Sequence, residues 1–144
     1  MDGMEQWVSD ALSDARVARL GTVGADGAVR MVPICFAVVD GFVVSAVDHK
    51  PKRTRQLRRF RDMAESGTAT VLVDHYDDDW STLWWVRVRG RATVHSAAAT
   101  EAVSAVDALV AKYAQYRDVR PSREVFRVAL DEVRWWSAAA QDGS

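Results

Sequence analysis

The spacing of apolar residues along the chain changes period several times, and each change marks a different element. Met4, Trp7, Val8, Ala11 and Leu12 recur at helical spacing, which predicts a short amphipathic helix over about 4–14. The pattern then becomes extended. "ARVARLGTV" (15–23) reads as a strand, "GADG" (24–27) as a turn and "AVRMVPICFAVV" (28–39) as a second strand. Pro33 interrupts that strand's supply of ladder donors, so an edge, a bulge or an unpaired stretch is expected there. Asp40-Gly41 is a two-residue hairpin signal, and "FVVSAV" (42–47) returns as a third strand. A helix of about four turns follows and stops near Gly67. "TATVLVDHY" (68–76), "TLWWVRVRGRATV" (82–94, with Gly90 as a bulge) and "EVFRVALDEVRWWSA" (124–138) supply three more strands, with an Ala- and Val-rich helix over roughly 98–113.

Six strands in largely hairpin order, with helices only at the gaps, predict a mainly β, α+β chain built as a six-stranded antiparallel barrel. There is no internal repeat and no linker long enough to divide the chain. One domain spanning 1–144 is therefore expected, with the N-terminal helix at about 4–14 and the barrel at about 15–138. Two tryptophan pairs refine this. Successive strand residues face opposite sides, so neither Trp84 and Trp85 nor Trp135 and Trp136 can share one core. Large aromatics on the outer face need a cover. A second copy of the chain, giving a homodimer, is the favoured one; the chain's own helices are the alternative.

Composition narrows the class. Hydrophobic residues make up 49% of the chain, without a low-complexity tract, which predicts a folded globule. No apolar run reaches the roughly 20 residues of a membrane helix, and the N-terminal segment lacks the charged and apolar regions of a secretory signal. No membrane partner is expected. A single cysteine, Cys35, fits a reducing, cytoplasmic setting, and its place inside an apolar strand suggests packing rather than nucleophilic chemistry. His49, His75 and His95 have no metal-ligand spacing, and the "DDD" at 77–79 lacks the glycine and distal glutamate of a calcium loop. Nucleophile elbows, phosphate loops and dinucleotide fingerprints are absent too, so no metal and no catalytic side chain are predicted. An enzyme built on this chain would need a cofactor to carry its chemistry.

Charge supplies the strongest signal. The chain holds 19 Lys and Arg against 20 Asp and Glu, yet Lys50, Lys52, Arg53, Arg55, Arg58, Arg59 and Arg61 all fall within twelve positions. On a helical wheel Leu57, Phe60 and Ala64 define a buried stripe, with Arg55, Arg58, Arg59 and Asp62 opposite as surface charge. Arg53 shares the stripe at the helix N-terminus, beside Lys50 and Lys52. Cations ordinarily avoid that end, so an anion, most plausibly a phosphate, is predicted there. A basic helix also suits nucleic acid, but the rest of the chain is acidic and no aromatic interleaves 50–59, so no nucleic-acid partner is expected. A second row, Arg87, Arg89 and Arg91, alternates along one strand face. It reads equally as charge that blunts an exposed strand or as a groove for an extended polyanion.

"PICF" from Pro33, the "DG" hairpin, "DHKPKRTRQLRR" and "VLVDHYDDDWSTLWWVRVRG" together resemble the split β-barrel, FMN-binding-like superfamily related to pyridoxamine phosphate oxidase. Within it, "HKPKRTR" and "DHYDDDWSTLWWVR" are similar to the actinobacterial branch of oxidoreductases that depend on coenzyme F420, a deazaflavin. The resemblance covers roughly residues 10–138. It implies a homodimer with two cofactor sites at the subunit interface. Val32, Pro33 and Ile34 would line the ring, Ala46 and Val47 would edge it, and Lys52 and Arg53, flanked by Lys50 and Arg55, would hold the phosphate. Relatives that use FMN usually carry Ser or Thr with Arg-Lys at the phosphate pair, where this chain has Lys-Arg after Lys-Pro. The activity implied is hydride transfer between the reduced deazaflavin and a small organic acceptor. An FMN-dependent oxidase or reductase, or a non-catalytic flavin- or deazaflavin-binding protein, are the alternatives. The oligoglutamate tail of the deazaflavin is an extended polyanion that the row Arg87, Arg89 and Arg91 could meet.

Overall fold

The computed structural model describes residues 4–47 and 53–141, with the side chains of 53–57, 140 and 141 outside the description. Helix α1 (Gln6–Asp14) precedes strands β1 (Ala18–Val23), β2 (Val29–Ile34), β3 (Ala37–Val39) and β4 (Phe42–Ala46). Helix α2 (Arg53–Ser66) leads into β5 (Thr68–His75), a 3₁₀ turn at Trp80–Thr82 and the long strand β6 (Trp84–Ser96). A second 3₁₀ turn, Thr100–Ala102, opens into α3 (Val103–Lys112), followed by α4 (Ala114–Asp118), β7 (Glu124–Ala129), β8 (Glu132–Ser137) and α5 (Ala138–Gln141).

The sheet has eight strands rather than the six expected, and the difference lies in two breaks. The stretch 28–39 divides at Cys35 and Phe36 into β2 and β3, and the stretch 124–138 divides at Leu130 and Asp131 into β7 and β8. All pairings are antiparallel, in the order β2-β1-β5-β6-β7-β4-β3, with β8 also on β6. The sheet is not closed by ladder bonds. Its two ends, β2 and β3, are consecutive in the chain and joined only by the break between them.

The second break is a bulge. β7 pairs Ala92 with Val128 and β8 pairs Arg89 with Glu132, so four steps on one side meet three on the other. Gly90 lies opposite the bulge. A Cβ there would run into the carbonyl oxygen of Ala129 and stand 2.8 Å from its carbon. Asp131 fills the gap, accepting from the Arg91 amide at 2.9 Å and from Arg91 Nε at 3.1 Å. The hairpin between β3 and β4 follows the sequence: Asp40 and Gly41 have φ of 55° and 82°, the left-handed pair of a tight hairpin turn.

Inward residues of β1, β5 and β6, including Leu20, Val71, Val73, Val86 and Val88, form the main core with Val8 and Leu12 of α1 and Met63 of α2. α3 covers a second cluster through Ala105, Val106 and Leu109 against Val44 and Val125. The tryptophan pairs divide as the alternation requires. Trp84 and Trp135 pack toward the main core, and Trp7 meets Trp84 edge-on at 6.2 Å. Trp85 and Trp136 face the other side of the sheet, opposite one another across β6 and β8. Among the described residues no helix is long and apolar enough to cross a membrane.

Gly90→Ala forces the bulge off β6 and is expected to destabilise the protein by about 1–3 kcal/mol, the usual range for overpacking. Urea denaturation checks this. An unchanged midpoint would mean that the β7–β8 turn yields freely.

Candidate functional site

The expected ring-lining residues lie at the end of β2, before a break in the strand, and at the end of β4. Neither Cys35 nor Phe36 belongs to a strand, so their peptide groups need other partners. Tyr113, just past the end of α3, supplies them. Its hydroxyl accepts from Phe36 N–H at 3.0 Å and stands 2.9 Å from the carbonyls of both Phe36 and Arg16. Burial pushes the Tyr113 hydroxyl up from its ordinary pKa, which keeps it a donor. From the other side Ser45, buried in β4, donates to the Cys35 carbonyl at 2.6 Å. That bond brings the end of β2 to the end of β4. Val32, Pro33 and Ile34 end β2 just before Cys35, Ala46 ends β4 just after Ser45, and the Val47 amide donates a hydrogen bond to the Glu124 carbonyl at 2.9 Å.

These five residues do not play equal parts. Ile34 and Val47 are buried, Val32 and Ala46 are half-buried, and Pro33 is exposed on the outer face. β2 pairs only with β1, so its other edge carries no ladder partner among the described residues. Cys35 differs from expectation. It is exposed and sits in the break instead of packing mid-strand. Sequence reasoning missed Ser45 and Tyr113. Ser45 was legible only as the one polar residue in "FVVSAV", and Tyr113 carried no local signal.

Lys112, next to Tyr113, closes the back of the break. Its Nζ lies 4.1 Å from the centroid of the Phe36 ring, is buried, and has no hydrogen-bond partner among the described residues. Desolvation pulls its pKa down to about 8, aided by the Arg16 charge and opposed by Asp14 and Cys35.

The basic run is only partly described. Lys50 and Lys52 lie outside the described residues; Arg53 and Arg55 are described as backbone, in the first turn of α2, and their side chains are not. The remainder of the helix corrects the wheel. Phe60 packs against the core as expected and the Leu57 side chain lies outside the described residues, but Ala64 is exposed whereas Asp62 and Met63 are buried, so the stripe departs from the expected one at its C-terminal end. Asp62 turns inward because Thr22 Oγ1 donates to it at 3.0 Å and Arg30 Nη1 at 3.1 Å. Arg58 is exposed, as expected. Arg59 is not plain surface charge. It is half-buried, its Nε has no partner among the described residues, and burial lowers its pKa.

Arg87, Arg89 and Arg91 do share the outer face of β6, with Val86, Val88 and Ala92 turned to the core. Their surroundings differ. Arg91 is held by Asp131. Arg87 lies over the Trp85 ring at 5.4 Å. Arg89 has neither a carboxylate nor a ring partner among the described residues. The register adds a row that strand-by-strand reading cannot show: Pro33, Arg19, Leu72, Arg87 and Arg134 lie side by side across five strands. Among the described residues no group of acids, histidines and cysteines is placed to hold a metal ion.

A mainly antiparallel sheet of eight strands, left open between β2 and β3 and covered by a few helices, defines the class of fold. The chain belongs to the pyridoxamine 5'-phosphate oxidase family, whose profile matches residues 4–137. Solved structures share the fold at low identity. The conserved hypothetical protein Rv2991 of Mycobacterium tuberculosis is 18% identical, with a TM-score of 0.74 over 98% of this chain and 89% of that one. HutZ of Vibrio cholerae, a heme storage protein, is 10% identical, with a TM-score of 0.70 over 92% and 93%. An FAD-binding protein of Mesorhizobium loti is 19% identical, with a TM-score of 0.65 over 88% and 87%. No curated protein matches the chain by sequence.

Lys112 gives the site a pH signature. Its folded pKa lies below the ordinary 10.5, so the unfolded chain binds more protons between about pH 8 and 10.5, and stability rises with pH across that window. Below about pH 8 both states carry the proton and the slope vanishes. Lys112→Met is expected to flatten the slope and to raise stability at pH 7, as read from urea melts between pH 7 and 10. A slope that survives the substitution would assign it to another group.

Proposed function

We propose that the protein is an oxidoreductase that binds the deazaflavin coenzyme F420 and passes a hydride between the reduced cofactor and a small organic acceptor. The observation that supports this reading is the Ser45–Cys35 hydrogen bond, which ties the residue after β2 to β4, the strand that precedes the basic segment in the chain. The edge of β2 offers unpaired peptide groups to the polar rim of a tricyclic ring. Buried Ile34 and Val47 give it an apolar floor. Lys50, Lys52, Arg53 and Arg55, which follow directly in the chain, would hold the phosphate. Arg59 supports an anion near this helix: a buried guanidinium nitrogen without a partner is a donor waiting for an acceptor. When bound, the reduced deazaflavin supplies the hydride; the chain's own residues orient the ring and keep water from it. The deazaflavin is preferred to FMN on the likeness of "HKPKRTR" and "DHYDDDWSTLWWVR" to the F420-dependent branch. Arg89 is the member of the β6 row with charge to spare for the oligoglutamate tail. An FMN enzyme and a binding protein without turnover are the readings to be separated.

Val23, Val29 and Met31 are 47%, 65% and 60% exposed on the outer face of β1 and β2, next to Pro33. A second copy of the chain covering this patch would make a homodimer and complete the wall of the cofactor site. Light scattering at micromolar concentration is expected to give twice the chain mass. A monomer that still binds cofactor would remove the shared wall.

Fluorescence titration with F420 and with FMN tests the cofactor, and turnover of reduced deazaflavin with a panel of acceptors tests catalysis. Tighter binding of F420 than of FMN is expected. Arg89→Ala is expected to weaken long-tailed F420 by about two- to fivefold, the scale of an exposed ion pair, and to leave a tail-less analogue unchanged. Equal binding of both cofactors would favour the FMN reading. Binding without turnover of any acceptor would favour a binding protein without catalysis.

A further inference from the structure

Asp62 is a buried carboxylate at the end of the most basic run of the chain, and its partners lie in other elements. Only 3% of the residue is exposed. It accepts from Thr22 Oγ1 at 3.0 Å and from Arg30 Nη1 at 3.1 Å, and Thr22 and Arg30 are directly paired across β1 and β2. Arg30 also reaches Asp26 at 3.3 Å, and Asp26 accepts from the Ala28 amide at 3.0 Å, which ties the cluster to the turn between the two strands. Gly24 leaves the room for it: a Cβ there would run into Arg30 Nη1 and stand 2.7 Å from Asp26 and 3.1 Å from Asp62. One side chain of α2 is thus fastened to β1, to β2 and to their turn.

We propose that Asp62 is a positioning residue for the cofactor, an inference that rests on the reading of the site as one for a ring and a phosphate. It sets the span between the start of α2, assigned to the phosphate, and the end of β2, assigned to the ring. Arg30, Val32 and Ile34 alternate on the inward face of β2, so the bond to Asp62 is made two residues before the ring segment. Arg53 lies nine residues before Asp62 on the same helix, about 13 Å away along its axis. Phe60 and Met63 already pack α2 against the core. Such apolar contacts are non-directional and let a helix slide or tilt. Arg30 Nη1 lies within 3.3 Å of both carboxylate oxygens, and that directional contact fixes one placement. Stability alone does not call for it, because an apolar pair of similar volume serves a core as well as a buried ion pair does. A ligand whose ring and phosphate are both held does call for it, because the second contact adds affinity only when the geometry permits both at once.

Charge and positioning predict opposite signs. Removing a carboxylate from the helix that holds a phosphate strengthens anion binding by charge alone, whereas loss of positioning weakens it. The test compares F420 with its phosphate-free chromophore by fluorescence titration of the full chain. The ratio of the two affinities reads what the phosphate adds. Asp62→Asn is expected to lower that ratio by about tenfold and to leave the chromophore's own affinity within about twofold. Arg30→Met combined with Asp62→Leu leaves no lone charge buried and should act in the same way; it replaces Asp62→Asn if thermal melts show that variant unfolded. Arg120→Gln, in an exposed ion pair with Asp107, is the control and should change neither ligand. The proposal is overturned if the ratio is unchanged or rises, or if the chromophore weakens as much as F420. If the unaltered protein binds FMN in place of F420, FMN and riboflavin take the two roles and the same ratio decides. Binding of neither cofactor removes the cofactor reading and this inference with it; binding with an unchanged ratio removes this inference alone.

Discussion

Two hydroxyl groups hold the point on which the rest of the architecture depends. The strand that leaves β1 ends at Ile34, and a new one begins at Ala37 on the opposite end of the sheet. A chain can change sheet ends in two residues only if the peptide groups it frees are satisfied elsewhere. Tyr113 does this from α3 and Ser45 does it from β4. One bond is short in sequence and the other spans 77 residues, so the break requires the folded helix layer as well as the hairpin. Without it, the peptide groups of Cys35 and Phe36 would lose the partners that let the chain leave one end of the sheet for the other.

Much of this was legible locally, and the limits have a common cause. The alternation fixed the faces of β5 and β6, and Asp40-Gly41 fixed a hairpin, because each depends on neighbours within a few residues. The two strand breaks were not legible because each is set by a distant partner. Pro33 warned of irregularity in the first, but the break falls two residues later, where Tyr113 can reach. Gly90 warned of a bulge, yet the extra residue sits on the facing strand, at Leu130 and Asp131, and Gly90 makes room for it.

The basic helix shows the same limit in side-chain terms. A wheel treats charge as outward-facing, since burial of a lone carboxylate is costly. Asp62 is not alone. Thr22 and Arg30, far away in sequence, hydrogen-bond it, and Arg30 also reaches Asp26 at 3.3 Å. That network rotates the buried stripe toward Met63 and leaves Ala64 outside. The gathering of positive charge was correctly seen; which members face inward depended on partners in β1 and β2 that only the fold supplies.

Seen across its strands, the outer face has three regions with different chemistry. Apolar Val23, Val29 and Met31 lie at the β2 end, arginines lie across the middle, and the indoles of Trp85 and Trp136 lie at the β8 end. Solvent alone does not call for this order, because a wet sheet face needs no aromatic wall and no row of arginines. Strand register sets their order, since Pro33, Arg19, Leu72, Arg87 and Arg134 fall in one line at about 4.8 Å per strand. A slip of one residue in β6 would turn Arg87 and Trp85 into the core and Val86 outward, so the pairing that buries the core is also what orders the outer face.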